Sequence, residues 1–306
     1  MRKPSNPRVS ALRRFAVSIT ALTVIGHVWL GIEQSWAQTF VAVGTSHVLT
    51  LAFEWVEAKA LRRPPAFAGG TQAFITFLLP AHISGMAIGL LLYPSDRLWP
   101  FAFAAAVAVA GKYVFRAPVK GRMRHAMNPS NLGIATTLVV FPSVGVGLPY
   151  MFTETTSGAL DWIIPALLLA SGLLLNLTLT GKGPLVAAWI AGFAAQAVIR
   201  GAITDIDTAA ALAPMTGAAF LLFSNYMITD PGTSPVRARN QVVFGLVAAA
   251  LYGVITSAHI VYGLFFCVIG ACLLRAAVLW AIELADRRAR EPEPAVRRVG
   301  ALEGAT

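Results

Sequence analysis

Long apolar stretches, separated by polar or charged connections, dominate the pattern along the chain. A membrane-spanning helix needs about 20 mostly apolar residues, and ten segments, some of them short, meet or approach that requirement. They cover residues 15–31, 38–58, 72–93, 99–115, 129–147, 161–180, 184–200, 211–229, 241–257 and 259–283. The pattern therefore predicts an all-α polytopic membrane protein with about ten transmembrane helices and a membrane domain over residues 15–284.

The two ends of the chain lack this pattern. Residues 1–14 are basic and predict a cytoplasmic N-terminal tail, while residues 285–306 mix Arg with Glu and Pro and predict a disordered cytoplasmic C-terminal tail. The basic start and the first apolar run also resemble a cleaved signal peptide. We expect this span to be retained, because its apolar run is longer than that of a usual signal and its removal would leave an odd number of spans.

The composition excludes most soluble classes. Apolar residues make up 57% of the chain, charged residues only 12%, and the mean hydropathy is +0.68, whereas soluble domains carry about 25% charged residues. A soluble enzyme is therefore nearly excluded. The two cysteines, Cys267 and Cys272, lie in one apolar stretch and match neither a metal-binding spacing nor a disulfide framework, so we expect no metal site.

Basic residues are placed asymmetrically in the predicted topology. The chain holds 24 Lys and Arg against 14 Asp and Glu, and all of the cations except Arg97 and Arg200 fall on one side of the membrane. The positive-inside rule assigns that side to the cytoplasm. We therefore expect a multi-pass protein of a bacterial-type inner (plasma) membrane with both termini cytoplasmic, whose basic excess reflects topology and does not indicate nucleic acid as a partner.

The third and eighth spans share a weak pattern. Each contains a proline, then a hydroxyl–glycine pair, then a leucine run that ends at a proline, beginning at Pro80 and at Pro214 respectively. The two spans run in opposite directions, which favours a five-plus-five inverted repeat of the kind found in transporters. A chance similarity explains the match equally well, because the alignment needs a gap.

The first polar motif, residues 128–133, opens the fifth span on the predicted cytoplasmic side. Asn128 is placed to cap the helix, with a proline as the first helical residue. A helix start presents free N–H groups that can hold a phosphate or another oxyanion. Asn128, Ser130, Asn131 and Gly133 are therefore candidate binding residues. The alternative is a well-capped helix beside topological charge.

The second polar motif, residues 229–235, closes the eighth span. Pro231 disfavours a helical conformation for the residue before it, so we expect the helix to end at Asp230. Thr229, Asp230 and Thr233 are candidate binding residues. The alternative is that Asp230 only orders the loop, or pairs with Arg237.

Two histidines lie near the centres of predicted spans. Ionisable groups at that depth are costly and are often functional. His47 and His82, on different spans, could ligate a haem, or one of them could relay protons to a quinone. The alternative is a neutral imidazole that donates to a helix carbonyl. Of the two, His82 is the candidate binding residue.

The two motifs together resemble a known family. The run Asn-Pro-Ser-Asn-Leu-Gly from Asn128, followed by Tyr-Met-Ile-Thr-Asp-Pro-Gly-Thr-Ser-Pro from Tyr226, resembles the NqrB/RnfD family. Its members are ten-span subunits of sodium-pumping NADH:quinone and ferredoxin:NAD oxidoreductase complexes. Over residues 31–38, 78–82 and 96–100 the chain resembles more closely the UnbU-like branch, which is found with enediyne biosynthesis genes.

The resemblance implies an inverted-repeat helical fold, redox partner subunits and membrane flavin chemistry. The family attaches FMN covalently to the threonine of a Ser-Gly-Ala-Thr motif in an outer loop. The matching residues here, 157–160, end in Leu160, which has no hydroxyl to esterify. We therefore expect no covalent FMN, and a non-covalent flavin (FMN or riboflavin) or a quinone at the two polar motifs.

These observations lead to one main functional hypothesis and two alternatives. The main one is a redox subunit that passes electrons within a complex and does not oxidise a substrate by itself, in a pathway of enediyne-type natural-product biosynthesis. The first alternative is a small-molecule transporter or exporter with an inverted-repeat cavity. The second is a membrane scaffold that anchors biosynthetic enzymes.

Overall fold

The computed structural model describes residues 7–29, 31–32, 34–147 and 157–290, and the predictions for the remaining residues lie outside the described part. The α-helices are α1 (Pro7–Val28), α2 (Trp36–Ala60), α3 (Thr71–Leu91), α4 (Trp99–Val114), α5 (Pro129–Val140), α6 (Leu160–Leu174), α7 (Gly183–Ile203), α8 (Thr208–Leu212), α9 (Ala218–Leu222), α10 (Ala238–Ser257) and α11 (Gly263–Arg290). Two π-helical turns, Leu175–Thr180 and Phe223–Met227, extend α6 and α9, and a 3-10 turn, Ala213–Thr216, follows α8.

Four short strands form two antiparallel pairs. Strand β1 (Leu92–Tyr93) pairs with β4 (Gly145–Val146). Strand β2 (Arg116–Val119) pairs with β3 (Arg122–His125), which makes a hairpin between α4 and α5. The rest of the regular structure in the described residues is helical, so the predicted all-α polytopic class is confirmed.

Helix length and composition in the described residues indicate seven or eight membrane spans. Seven helices are long and apolar enough to cross a membrane, and the segments Thr208–Thr216 and Ala219–Met227, bent by 67° at their junction, add an eighth if they form one span. Helices α4 and α5 are apolar but shorter. The predicted fifth span, residues 129–147, is wrong in length, because α5 ends at Val140 and the chain then turns at Phe141, which precedes a proline. The total of ten spans stays a prediction.

Both predicted tails are partly helical. Helix α1 begins at Pro7, so residues 7–14 extend the first span, with proline at the helix start where its missing N–H costs nothing. Helix α11 continues to Arg290, and Arg287 Nε donates to Glu283 Oε1 at 2.9 Å, an ion pair one turn apart that supports the last turns. The disordered tail predicted from residue 285 therefore does not begin before residue 291.

The two halves of the bundle repeat the same neighbour relations. In the first half α2 packs on α4, and α4 packs on α5, around a core that includes Phe101 and Ile134. In the second half α7 packs on α10, and α10 packs on α11, around Trp189 and Phe193. Helices α5 and α11 join the halves. This recurrence favours the predicted repeat, whose inverted sense stays a prediction.

Basic segments from distant parts of the chain meet at one end of the bundle. Glu57, near the end of α2, accepts from Arg63 at 3.0 Å and from Arg116 at 2.9 Å. The indole N–H of Trp280 on α11 donates to the Arg116 carbonyl at 3.1 Å. The hydrogen bond from Arg63 to Glu54 raises the pKa of the Arg63 guanidinium. One end therefore gathers the basic connections, and its assignment to the cytoplasm stays a prediction.

Candidate functional site

The two polar motifs, which are far apart in sequence, are in direct contact. The side-chain amide of Asn128, at the start of α5, donates from Nδ2 to the carbonyl oxygen of Met227 at 3.1 Å. Met227 is the last residue of the π-helical turn that precedes the second motif. A single hydrogen bond thus joins the start of one predicted span to the end of another.

The first motif folds as a capped helix start. Asn128 Oδ1 accepts from the Asn131 N–H at 3.1 Å and from the Ser130 hydroxyl at 3.0 Å, so the predicted N-cap is present. Asn131 is buried, and its Nδ2 donates to the Phe265 carbonyl on α11 at 2.9 Å. Because all of these bonds are internal, Asn128 and Asn131 fix the position of the motif within the bundle.

Gly133 has a packing role. A Cβ atom at this position would lie 2.2 Å from the carbonyl oxygen of Ala104 on α4, a separation no real Cβ atom adopts. The absence of a side chain therefore lets α4 and α5 approach closely, and this contact holds the first motif against the first half of the bundle.

The second motif ends its helix as predicted and orders the loop that follows. The Asp230 carboxylate accepts from the Gly232 N–H at 3.3 Å and from the Thr233 hydroxyl at 2.8 Å. The Thr229 hydroxyl donates to the Asn225 carbonyl at 2.6 Å. Within the described residues no ion pair joins Asp230 to Arg237, so the predicted Arg237 pairing is not observed.

Three cations surround Asp230 at longer range. The carboxylate attracts Lys112 on α4, Lys182 immediately before α7, and Arg275 on α11. Lys182 is buried, and its ammonium donates to the Pro235 carbonyl at 2.5 Å and the Ser234 carbonyl at 3.3 Å. Burial lowers the pKa of Lys182 to about 8, against the opposing attraction of Asp230. The buried ammonium of Lys182 therefore anchors the loop of the second motif, although burying its charge costs free energy.

A cavity of about 630 Å³, hereafter the central cavity, begins at the joined motifs. Its polar end is lined by Lys112, His125, Asn128, Ser130, Thr229 and Asp230. From there it runs between α1 and α3 on one side and α6 and the 223–227 turn on the other, past mostly apolar walls, as far as Leu91 and Gly147. Four of the eight predicted site residues line it. Asn131, Gly133 and Thr233 do not line it, but they belong to the same two motifs.

Several residues of the site had not been identified from the sequence. His125 lies against the second motif, since a Cβ at Gly232 would be 2.4 Å from its Nε2 atom. Midway along the cavity, the Tyr226 hydroxyl bonds to Ser171 at 2.6 Å and its ring stacks on Phe15 with centroids 5.3 Å apart. The sequence signal that could have identified Ser171 and Tyr226 is an isolated hydroxyl or aromatic residue in an otherwise aliphatic span.

The structure does not bring His82 to the two motifs. Its Nε2 atom is 2.9 Å from the Thr20 hydroxyl of α1, and its ring stacks on that of His47 with centroids 5.7 Å apart. Both histidines line a second cavity of about 670 Å³, hereafter the lateral groove. Because the two ring planes face each other at 25°, the rings do not direct two nitrogens at a common iron, and this geometry disfavours haem ligation.

Metal ligation finds no support in the described residues. No group of three or more His, Cys, Asp or Glu side chains is arranged to hold a metal ion there. Cys267 and Cys272 are both buried free thiols.

Comparison with known proteins gives one match. The sequence profile of the NQR2, RnfD, RnfE family matches residues 145–278, which is less than half of the chain. The matched region contains the second polar motif and begins after the first. No curated protein matches the chain significantly. The match supports the resemblance to the NqrB/RnfD family found in the sequence.

Proposed function

We propose that this protein is a membrane subunit of a redox complex that holds a non-covalent flavin or a quinone in the central cavity and passes electrons to partner subunits. The observation that carries the proposal is the Asn128–Met227 hydrogen bond, which places both family-like motifs at the polar end of one cavity. The family match over residues 145–278 supports the redox-complex part of the proposal.

The cavity suits a ligand of this class in size and in the distribution of its polar groups. Ligand sites usually enclose about 300–1,000 Å³ and are mostly apolar, with a few convergent polar groups. The central cavity has about 630 Å³ and concentrates its polar side chains at one end. An elongated ligand with one polar end and an apolar body matches that division.

The residues at the polar end divide into holding and proton-exchanging groups. A bound flavin or quinone supplies electron transfer, and its reduction requires protons. Thr229 and Ser130 present hydroxyl groups on the cavity wall, while Lys112, His125 and Asp230 are ionisable and lie at the same end. These three groups can therefore hold or deliver a proton next to the head of the ligand. The apolar walls of the cavity keep water away from the rest of the ligand.

The attachment is proposed to be non-covalent because Leu160 occupies the place of the family's attachment threonine. The association with enediyne-type biosynthesis is also a proposal, supported by the sequence resemblance over residues 31–38, 78–82 and 96–100. In this role the chain is an electron-transfer subunit, and a partner subunit oxidises the primary donor.

Purification in mild detergent tests the proposed function. We expect the protein to carry a flavin or quinone that mass spectrometry identifies after extraction, and whose absorption changes reversibly on reduction with dithionite. Purified protein that contains neither cofactor, and that binds neither when it is added, would contradict the proposal.

A transporter is the second candidate, and one observation favours it. The central cavity lies between helices of both halves, and the bent segment Ala219–Met227 forms part of its wall, as in inverted-repeat transporters. If transport is the function, Asp230→Asn should change solute flux in vesicles irrespective of the redox state of the protein. A flux that is absent, or that needs a reduced cofactor, would exclude this candidate.

A further inference from the structure

Helices α1 and α3 form a wall between the central cavity and the lateral groove. Ile19 of α1 and Ile83 of α3 line the central cavity, whereas their chain neighbours Thr20 and His82 line the groove. The two cavities are therefore separated by α1 and α3 themselves. This wall separates the interior of the bundle from its lipid-facing surface.

The groove faces the membrane. Val17, Phe74 and Ile75 on its rim are 68%, 40% and 48% exposed. Val17 lies near the middle of α1 and Phe74 and Ile75 lie in the first turns of α3, and both helices are long and apolar enough to span a bilayer. The groove is the more open of the two cavities, and apart from Thr20 and the two histidines its lining is apolar. A molecule dissolved in the bilayer can therefore reach it without crossing water.

Two features at the base of the groove are unusual for a lipid-facing surface. The first is the Thr20–His82 hydrogen bond, which ties α1 to α3 at 2.9 Å. The second is the Nε2 atom of His47, which is buried and has no hydrogen-bond partner among the described residues. A buried polar atom without a partner costs free energy, so His47 offers a favourable position to a ligand that can pair with it.

Helix α1 is also attached more loosely than α2 and α3. Its main neighbours are α3 and the 175–180 turn, whereas α2 packs extensively on both α3 and α4. Movement of α1 away from α3 would therefore break few contacts. The polar contact that such a movement would break is the hydrogen bond between Thr20 on α1 and His82 on α3.

From this arrangement we infer that the lateral groove is an entrance from the membrane to the central cavity, closed by the Thr20–His82 hydrogen bond. The molecule it admits is uncharged and lipid-soluble, with an apolar tail and a carbonyl or hydroxyl head that pairs with His47. A membrane quinone has this chemistry, and in naming it the inference rests on the function proposed above. His82 then acts as the latch of the entrance and not as a cofactor ligand.

Exchange kinetics of decylubiquinone test the entrance, with the protein in liposomes and the exchange of protein-bound tritiated decylubiquinone for the unlabelled compound as the readout. Thr20→Val keeps the side-chain shape and removes the latch, so association and dissociation should both accelerate by roughly two- to tenfold, as expected when opening no longer breaks one hydrogen bond. Ala21→Trp fills the groove and should slow both rates. The matched control is Thr23→Val, because Thr23 is a buried hydroxyl of the same helix that bonds only to Ile19 of its own backbone and lines neither cavity.

The outcomes separate this inference from the function on which it rests. If decylubiquinone does not bind to the wild-type protein, the quinone site and the entrance are both overturned. If it binds, but Thr20→Val and Ala21→Trp exchange it at wild-type rates, only the entrance is overturned, since the ligand then reaches the cavity from another side. Opposite changes in the two variants, with Thr23→Val unchanged, support the entrance.

Discussion

The central cavity and the lateral groove are similar in volume, about 630 and 670 Å³, but differ in how their polar groups are held. At the motif end of the central cavity, Asn128 bonds to Met227 from the other half of the chain, while Thr229 and Asp230 bond within their own segment. In the groove, His47 Nε2 has no hydrogen-bond partner among the described residues.

The difference follows from the backbone. The polar end of the central cavity is built where helices begin, end or widen into a π turn, so free N–H and C=O groups are available to fix side chains. The groove is built from continuous helices, whose backbone groups are paired within each helix except at Pro80, which has no N–H to donate. Polar groups that hydrogen bonds hold in place favour ligand binding, whereas a largely apolar surface with few such groups favours the passage of a ligand.

The largest effect should come from breaking the packing that holds the first motif. Gly133→Leu places a side chain where a Cβ alone would already overlap Ala104, and overpacking of this kind costs about 1–3 kcal/mol or more. We expect a lower melting temperature in detergent and loss of the cofactor. Gly44→Leu is the matched control, because nothing lies within 4 Å of a Cβ at that position. Equal stability of the two variants would mean that α4 and α5 do not approach closely.

A smaller effect should appear as a pH dependence at the second motif. The pKa of Lys182 is about 8 in the folded protein, below its ordinary value of 10.5, so the unfolded chain binds more protons between these values. Stability should therefore rise with pH across that window, by no more than about 1.4 kcal/mol per pH unit for one proton. Thermal unfolding from pH 7 to 10.5 measures it. Lys182→Met should remove this part of the rise, and an identical pH profile in that variant would show that Lys182 is not buried as a cation.

The smallest predicted effect is a change in the free energy of unfolding, whose sign should differ between the lateral groove and the motif end of the central cavity. His47→Leu removes a buried polar atom that has no partner, so we expect the free energy of unfolding to increase by about 1 kcal/mol while decylubiquinone affinity falls. Asn131→Leu should do the opposite to stability, because it leaves the Phe265 carbonyl without its donor. Destabilisation by His47→Leu would mean that its ring is already satisfied.

Local features of the site were predictable, and its assembly was not. Proline next to Asn128 and proline after Asp230 predicted the helix start and the helix end, because both follow from backbone sterics within a few residues. The contact between Asn128 and Met227 depends on how α5 packs against the second half of the bundle. No short-range pattern encodes that packing.

The third and eighth spans show the same limit. Both carry proline, yet α3 continues through Pro80, whereas the chain bends by 67° after Pro214. In the eighth span Pro214 lies within a 3-10 turn, Gly217 follows that turn, and the helix is interrupted there. His82 lies near the middle of α3 as predicted. The sequence could not show that it faces Thr20 and His47 and not the two motifs, because the face that a membrane helix turns inward is set by its neighbours.

The central claim is that the two motifs form one cofactor site because Asn128 joins them. The most direct measurement is the amount of flavin or quinone that co-purifies with Asn128→Asp, which keeps an acceptor to cap α5 but cannot donate to the Met227 carbonyl. We predict that this variant folds, with a lower melting temperature because the Met227 carbonyl loses its donor, and that it loses most of the bound cofactor, while Gly44→Leu retains it. A folded Asn128→Asp protein with the full cofactor content would contradict the account.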